Sequence, residues 1–133
     1  MKILDSDHCV AILRARLDLA GRVAPDEELG ITAISVGELV HGANKSRRAA
    51  ENLARLDVLL ATLTVLPYDE LPARRFGHLK AQLEQAGEII SDLDLQIGCI
   101  ALERDAALVT HNQKHFSRLA GLAGLVLEDW LEV

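Results

Sequence analysis

Five polar side chains stand where short apolar stretches of the sequence end or where helical patterns begin. Asp5 directly follows the stretch KIL, Thr110 and Asn112 lie at the end of ALVT and just after it, and Glu38 and Asp94 lie early in two helical patterns. Carboxylate and amide oxygens are the hard ligands that Mg²⁺ and Mn²⁺ prefer. An ion held by them activates a water molecule and offsets the charge of a phosphodiester under attack. The residue types therefore indicate a metal site for phosphodiester chemistry.

The same acidic residues also suit structural roles at the starts of helices. Glu38 and Asp94 each follow a serine by three residues, which is the spacing of a capping box. Asp5 and Asp7 precede a helical pattern, and aspartate is a preferred N-cap residue. For Asp7 and Asp92, each two residues from another aspartate, a cap is the favoured role. The spacing alone leaves both a shared metal site and a set of helix caps open.

Strands and helices alternate along the chain, and the strands read as continuous apolar runs. Such runs are typical of a parallel sheet covered on both faces by helices. The predicted strands are 1–4, 29–33, 64–66, 107–110 and 125–128, and the predicted helices are 7–20, 35–43, 46–63, 69–86, 91–104 and 112–119. Ligands of such sheets bind beyond the carboxyl ends of the strands. We therefore predict one α/β domain over residues 1–133, whose mostly parallel sheet gathers the polar side chains at one edge.

Composition and charge narrow the class of protein. The chain has 133 residues, of which 50% are hydrophobic, and its net charge is −6. An acidic average field repels nucleic acid, although a local basic patch overrides it. The stretch 44–48 is either such a phosphate-binding patch or a solvated loop. Cys9 and Cys99 are expected to be reduced core residues. Without a signal sequence or an apolar run of about 18 residues, the chain is expected to be cytoplasmic and to lack membrane spans.

Sequence segments along nearly the whole chain resemble one family. They are ILDSDHCVAIL, ITAISVGELVHGANKS, ARRFGHLKAQLEQAG, IISDLDLQIGCIALERDAALVTHNQKHF and GLVLEDW. In their order and spacing these segments resemble PIN-domain ribonucleases, and most closely the VapC-type toxins of toxin–antitoxin operons. The resemblance implies a PIN-like three-layer fold with a mostly parallel central sheet flanked by helices.

The resemblance also implies roles for individual residues. It places metal-binding aspartates at Asp5 and Asp94 and an acidic residue of the same site at Glu38. The fourth acidic position falls on Asn112, which departs from the four-acid form of the family and brings no charge. That departure puts a second tightly held ion in doubt.

Two hydroxyl side chains and several partners follow from the same resemblance. Ser6 and Thr110 stand where hydroxyls support the acidic site by orienting water or a carboxylate. The implied activity is that of a Mg²⁺-dependent endoribonuclease, with Mn²⁺ as a substitute, acting on structured RNA such as transfer or ribosomal RNA. A homodimer and a cognate antitoxin that blocks the acidic pocket are implied as well.

Two other functions compete with the ribonuclease. Asp5-Ser6-Asp7 after an apolar strand is similar to the D-x-D motif of haloacid-dehalogenase-like phosphohydrolases, although Glu38 would then have no role. A catalytically silent PIN-like RNA-binding module is the other alternative, which the uncharged Asn112 keeps open. A zinc site at His111 and His115 is disfavoured, because no further Cys or His accompanies them locally.

Overall fold

The computed structural model describes residues 1–131. Its strands are β1 (Lys2–Leu4), β2 (Leu29–Thr32), β3 (Thr64–Leu66), β4 (Ala107–Val109) and β5 (Leu127–Glu128). Its helices are α1 (Ser6–Leu13), α2 (Ala33–Lys45), α3 (Ala49–Leu60), α4 (Glu70–Gln85), α5 (Asp92–Glu103) and α6 (Gln113–Ala123). All strand pairs are parallel, in the order β3-β2-β1-β4-β5. The predicted α/β class with a parallel sheet flanked by helices is confirmed.

Apolar side chains of the central strands are buried on both faces of the sheet. Ile3 and Leu108 join a core cluster with α4, α5 and α6, whereas Leu4 and Val109 join a second cluster with α1, α2 and α3. Successive side chains of a strand point to opposite faces, so the two clusters lie on the two sides of the sheet. The result is three layers, with helices on either side of the strands.

The register of the strands sets which residues meet at the carboxyl edge. Leu4 is paired with Val109, so β1 and β4 end side by side. Asp5 and Thr110 are the next residues along these two strands, and the Asp5 N–H donates to the Val109 carbonyl at 2.9 Å. Parallel pairing therefore brings two side chains 105 residues apart in sequence to one point.

The first helix is shorter than predicted. The sequence pattern predicts a helix over 7–20, but α1 ends at Leu13, and Ala15 adopts a left-handed backbone with φ 54°. Leu17 is nevertheless buried in the second core cluster. The apolar periodicity beyond Leu13 thus reflects packing of the following loop and not a continued helix.

Gly98 of α5 permits close packing against α6. A Cβ atom at this position would lie 2.4 Å from Leu119 Cδ1, and Leu119 is fully buried. The missing side chain therefore lets α6 pack closely onto α5, the helix that carries Asp94.

Candidate active site

Asp5 is a buried carboxylate at the carboxyl end of β1. Its side chain is held from both sides, because Oδ1 accepts from the Ser6 N–H at 2.8 Å and Oδ2 accepts from the Thr110 hydroxyl at 2.7 Å. Burial raises the pKa of Asp5 to about 6; the Thr110 hydrogen bond opposes this shift, whereas the negative charges of Asp7 and Glu38 add to it. The site thus holds a carboxylate whose negative charge is unfavourable without a cation.

Asp5, and not Asp7, is the N-cap of α1. The favoured cap role of Asp7 is wrong, because α1 begins at Ser6, one residue before Asp7. Asp7 lies in the first turn and accepts from His8 Nδ1 at 2.6 Å and from the His111 N–H at 2.9 Å. Burial raises the pKa of Asp7, but these hydrogen bonds outweigh burial and lower it overall. Asp7 therefore links α1 to the loop after β4.

Glu38 is exposed on α2 and faces the start of α1. Its Oε1 accepts from the Ser6 hydroxyl at 3.1 Å. The capping-box alternative is wrong for Glu38, because Thr32 is the N-cap of α2 and accepts from the Ser35 N–H at 3.1 Å. Its carboxylate is therefore available to the site.

Asp94 lies in the first turn of α5 with 19% of its side chain exposed. Ser91 is the N-cap and accepts from the Asp94 N–H at 3.3 Å. The favoured cap role of Asp92 is wrong, since its carboxylate pairs with Lys80 Nζ at 2.8 Å. The Asp94 carboxylate points elsewhere, with Oδ2 lying 3.3 Å from His115 Nδ1.

Asn112 lies between Thr110, which binds Asp5, and His115, which contacts Asp94. Its N–H donates to the Thr110 hydroxyl at 3.0 Å, and its Nδ2 lies 3.0 Å from His115 Nδ1. The structure thus arranges the predicted residues in one chain of contacts that runs Glu38, Ser6, Asp5, Thr110, Asn112, His115 and Asp94. The sequence named His115 only as part of a disfavoured zinc pair with His111, and its contacts with Asn112 and Asp94 come from the tertiary structure.

The carboxylates are not packed into a ready-made ligand cluster. Within residues 1–131, no three His, Cys, Asp or Glu side chains form a group that could hold a metal ion. The donor set nevertheless fits a hard divalent cation, because its members are carboxylate and amide oxygens. The unfavourable negative charge of buried Asp5 is an independent sign of fit, since a cation would offset it.

A buried histidine ties the end of the described chain to the site. His8 is fully buried, and its Nε2 accepts from the Trp130 N–H at 3.0 Å, so Nδ1 carries the proton that is donated to Asp7. The Trp130 ring stands edge-on to the His8 ring, with centroids 6.2 Å apart. The sequence did not reveal this contact either, since it joins residues 122 positions apart.

His111 and the stretch 44–48 are not members of this chain of contacts. His111 pairs with Asp129 at 2.8 Å whereas His115 faces Asp94, so the two histidines have different partners. In the stretch 44–48, Ser46 is the C-cap of α2, and Arg48 lies 3.6 Å from Glu51. The contacts of this stretch are typical of a short connection between two helices, here α2 and α3.

The Thr110 hydroxyl supports the site, and Thr110→Val is expected to destabilise the fold. The isosteric change removes the donor to Asp5 and the acceptor for the Asn112 N–H, at a cost of about 2 kcal/mol. Because the lost bond stabilises ionised Asp5, the pKa of Asp5 rises further and the cost is larger near pH 8 than near pH 5. Urea unfolding at both pH values measures this. Thr110→Ser keeps the hydroxyl and is the control; equal losses for both variants would refute the role.

Comparison with known proteins identifies the family to which this fold belongs. Residues 2–122 match the PIN domain, so the chain is a PIN-domain protein. It is 32% identical to ribonuclease VapC2 of Rickettsia felis over 132 residues, 96% of each chain, and 30% identical to the tRNA(fMet)-specific endonuclease VapC of Shigella flexneri, again over 96% of each. The chain therefore belongs to the VapC ribonucleases of the PIN-domain family. The resemblance seen in the sequence motifs is confirmed.

Solved structures agree with this assignment. VapBC2 of Rickettsia felis, bound to a DNA fragment from its promoter, superposes with a TM-score of 0.88 at 30% identity, covering 98% of each chain. DNA-bound VapBC of Salmonella typhimurium gives a TM-score of 0.87 at 29% identity, with the same coverage. PIN-domain nucleases of this kind generally depend on a divalent metal ion. No helix in residues 1–131 is long and apolar enough to cross a membrane.

Proposed function

We propose that this chain is the endoribonuclease toxin of a toxin–antitoxin pair and that it hydrolyses RNA phosphodiester bonds with Mg²⁺, for which Mn²⁺ can substitute. The observation that carries the proposal is the buried Asp5, with a pKa of about 6, at the centre of contacts that reach Glu38, Asn112 and Asp94. An anion held in this state at neutral pH is suited to bind a cation.

In the proposed mechanism each side chain has a separate task. Asp5 and Asp94 would hold the ion through carboxylate oxygens, and Glu38 would assist through water. Ser6 and Thr110 fix the orientation of the Asp5 carboxylate. When bound, the ion supplies an activated water molecule and positive charge that offsets the charge developing on the phosphodiester. Asn112 contributes amide hydrogen bonds and no charge, which favours one tightly held ion over two.

Partners and substrate are proposed from the relatives. The solved neighbours are VapBC complexes, and one relative is named for its action on tRNA(fMet). We expect a cognate antitoxin that covers the acidic site, a homodimeric toxin, and a structured RNA substrate such as transfer or ribosomal RNA met in the cytoplasm.

The first test is cleavage of total cellular RNA by purified, antitoxin-free protein. We expect discrete fragments with Mg²⁺ or Mn²⁺ and intact RNA when EDTA removes the ion, and mapping of the fragment ends identifies the target. Intact RNA after treatment with folded protein and either ion would contradict the proposal and favour a silent RNA-binding module.

The phosphohydrolase alternative receives no support from the geometry. A D-x-D enzyme needs its second aspartate as a proton donor and acceptor, whereas Asp7 is engaged by His8 and His111 and has a lowered pKa. Release of phosphate from p-nitrophenyl phosphate in the same preparation would restore this alternative.

A further inference from the structure

A cationic cleft runs along α1 away from the candidate active site. It has a volume of about 630 Å³. Its charged lining residues are Arg14, Arg16 and Arg22 together with Asp7 and Asp18, so positive charge is in excess by one. The three arginines are exposed and lie at the end of α1 and in the loop that follows it. The cleft therefore joins a side chain beside the candidate metal site to a group of positive charges.

These arginines have no anionic partner among the described residues, a property that they share with the control residue used below, Arg104. Within residues 1–131, none of the three forms an ion pair or a side-chain hydrogen bond to the protein. By contrast, Arg74, Arg75 and Arg118 pair with Glu70, Glu103 and Glu88 at 2.7–2.8 Å. The guanidinium groups of the cleft are therefore free to bind an external anion.

Arg14 also lines a second cleft, which shares Val10 and Arg14 with the first. The second cleft, of about 320 Å³, is lined by Ser6, Glu38 and Arg14 among others. The helical rise places Arg14 about 12 Å along the axis from Ser6. An extended chain bound at Asp5 can therefore reach Arg14 within a few nucleotides.

We propose that Arg14, Arg16 and Arg22 bind backbone phosphates of the RNA substrate next to the bond that is cut. This inference rests on the proposed ribonuclease function. Guanidinium groups bind phosphate through paired, charge-assisted hydrogen bonds. A polymer with a charge on every nucleotide necessarily brings further phosphates close to any bond placed at Asp5. Because the chain carries a net charge of −6, such a local cationic surface is needed to hold a polyanion at an acidic site.

The test measures the salt dependence of RNA binding. A fluorescently labelled single-stranded RNA is titrated with protein carrying Asp94→Asn, which prevents cleavage, at constant Mg²⁺ and increasing KCl. The slope of log K against log salt is expected to fall by about 0.7 for each of Arg14→Gln, Arg16→Gln and Arg22→Gln, and by about 2 for the triple variant. Affinity of the triple variant is expected to drop about tenfold at low salt.

A matched control separates this effect from a general loss of charge. Arg104 is exposed and is the C-cap of α5, as Arg14 is the C-cap of α1, but it lines neither cleft. Arg104→Gln is expected to leave the salt slope within about 0.2 of the parent. Replacing the three arginines by lysine keeps the charge and is expected to restore most of the slope. Thermal unfolding verifies that each variant is folded.

Kinetics with Asp94 intact distinguish the outcomes. The triple glutamine variant is expected to raise KM with little change in kcat, because the arginines bind phosphates away from the reacting one. If the wild type cleaves RNA but the triple variant has the same KM and the same salt slope as its parent, this inference alone is overturned. A loss of antitoxin binding without a loss of RNA affinity would also overturn it, in favour of an acidic protein segment. Wild-type protein that cleaves no RNA would instead refute the proposed function.

Discussion

Asp94→Asn is expected to lower the rate of RNA cleavage more than about a hundredfold while leaving the fold intact. The amide has the same shape as the carboxylate but loses the charge that a divalent ion requires of its ligand. Among residues 1–131, the one hydrogen-bonding contact of the side chain is with His115 at 3.3 Å. The bond to Ser91 comes from the Asp94 backbone and is kept. The thermal midpoint is therefore expected to stay within about 2 °C of wild type.

Asp92→Asn is the matched control for this variant. Asp92 lies in the same turn of α5, and the change removes one negative charge and an exposed ion pair with Lys80. Exposed pairs contribute little, so both stability and cleavage should remain near wild type. Initial rates on labelled RNA, together with thermal scans, compare the two variants directly. Cleavage by Asp94→Asn at the wild-type rate, or an equal loss in both variants, would refute the assignment of Asp94 as a metal ligand.

The sequence predicted the sheet because the strand signals are local. Each central strand is a short apolar run, and the run itself marks where the polar edge begins; β3 over 64–66 was predicted to the residue. The carboxyl edge then followed from parallel pairing, and with it the grouping of Asp5 with Thr110. For Asp94 the sequence predicted only a position at the start of a helix, because this residue does not follow a strand.

Contacts between side chains that are far apart in the chain could not be predicted from the sequence. Asp5 and Asp7 both precede a helical pattern, and which of them caps α1 depends on the pairing of β1 with β4. His8 meets Trp130, and His115 meets Asp94, only because tertiary packing brings them together. The end of α1 at Leu13 was missed for a similar reason, since the loop that follows keeps an apolar residue buried without remaining helical.

Asp5→Asn is expected to stabilise the protein and, at the same time, to abolish its activity. Burial raises the pKa of Asp5 from an ordinary value of 3.8 to about 6, so keeping this group ionised costs up to about 3 kcal/mol. The amide removes that cost but gives up one acceptor, because the carboxylate accepts from both Ser6 and Thr110. The net gain is expected to be about 1 kcal/mol, or roughly 5 °C in the thermal midpoint near pH 8.

The raised pKa of Asp5 determines how the stability difference between wild type and Asp5→Asn changes with pH. Between pH 3.8 and about 6 the folded state binds more protons at Asp5 than the unfolded state does. The contribution of Asp5 to stability therefore falls as pH rises through this window, and the full cost is present above it. The advantage of Asp5→Asn should accordingly be largest near pH 8 and turn into a net loss of stability near pH 4, where the folded wild type is protonated at Asp5 and only the lost acceptor remains. Asp26→Asn, at an exposed position, is the control and should show no such pH-dependent gain.

Addition of the metal ion should reverse the order of the two proteins. A ligand that binds only the folded state raises its stability by mass action, so Mg²⁺ or Mn²⁺ should raise the thermal midpoint of wild type and leave Asp5→Asn nearly unchanged. The same ion that permits cleavage would then offset the charge that burial makes costly. If Asp5→Asn were less stable than wild type without metal at pH 8, the buried carboxylate would be a structural cap held by Ser6 and Thr110. If it cleaved RNA, Asp5 would not be a ligand of the reaction's ion.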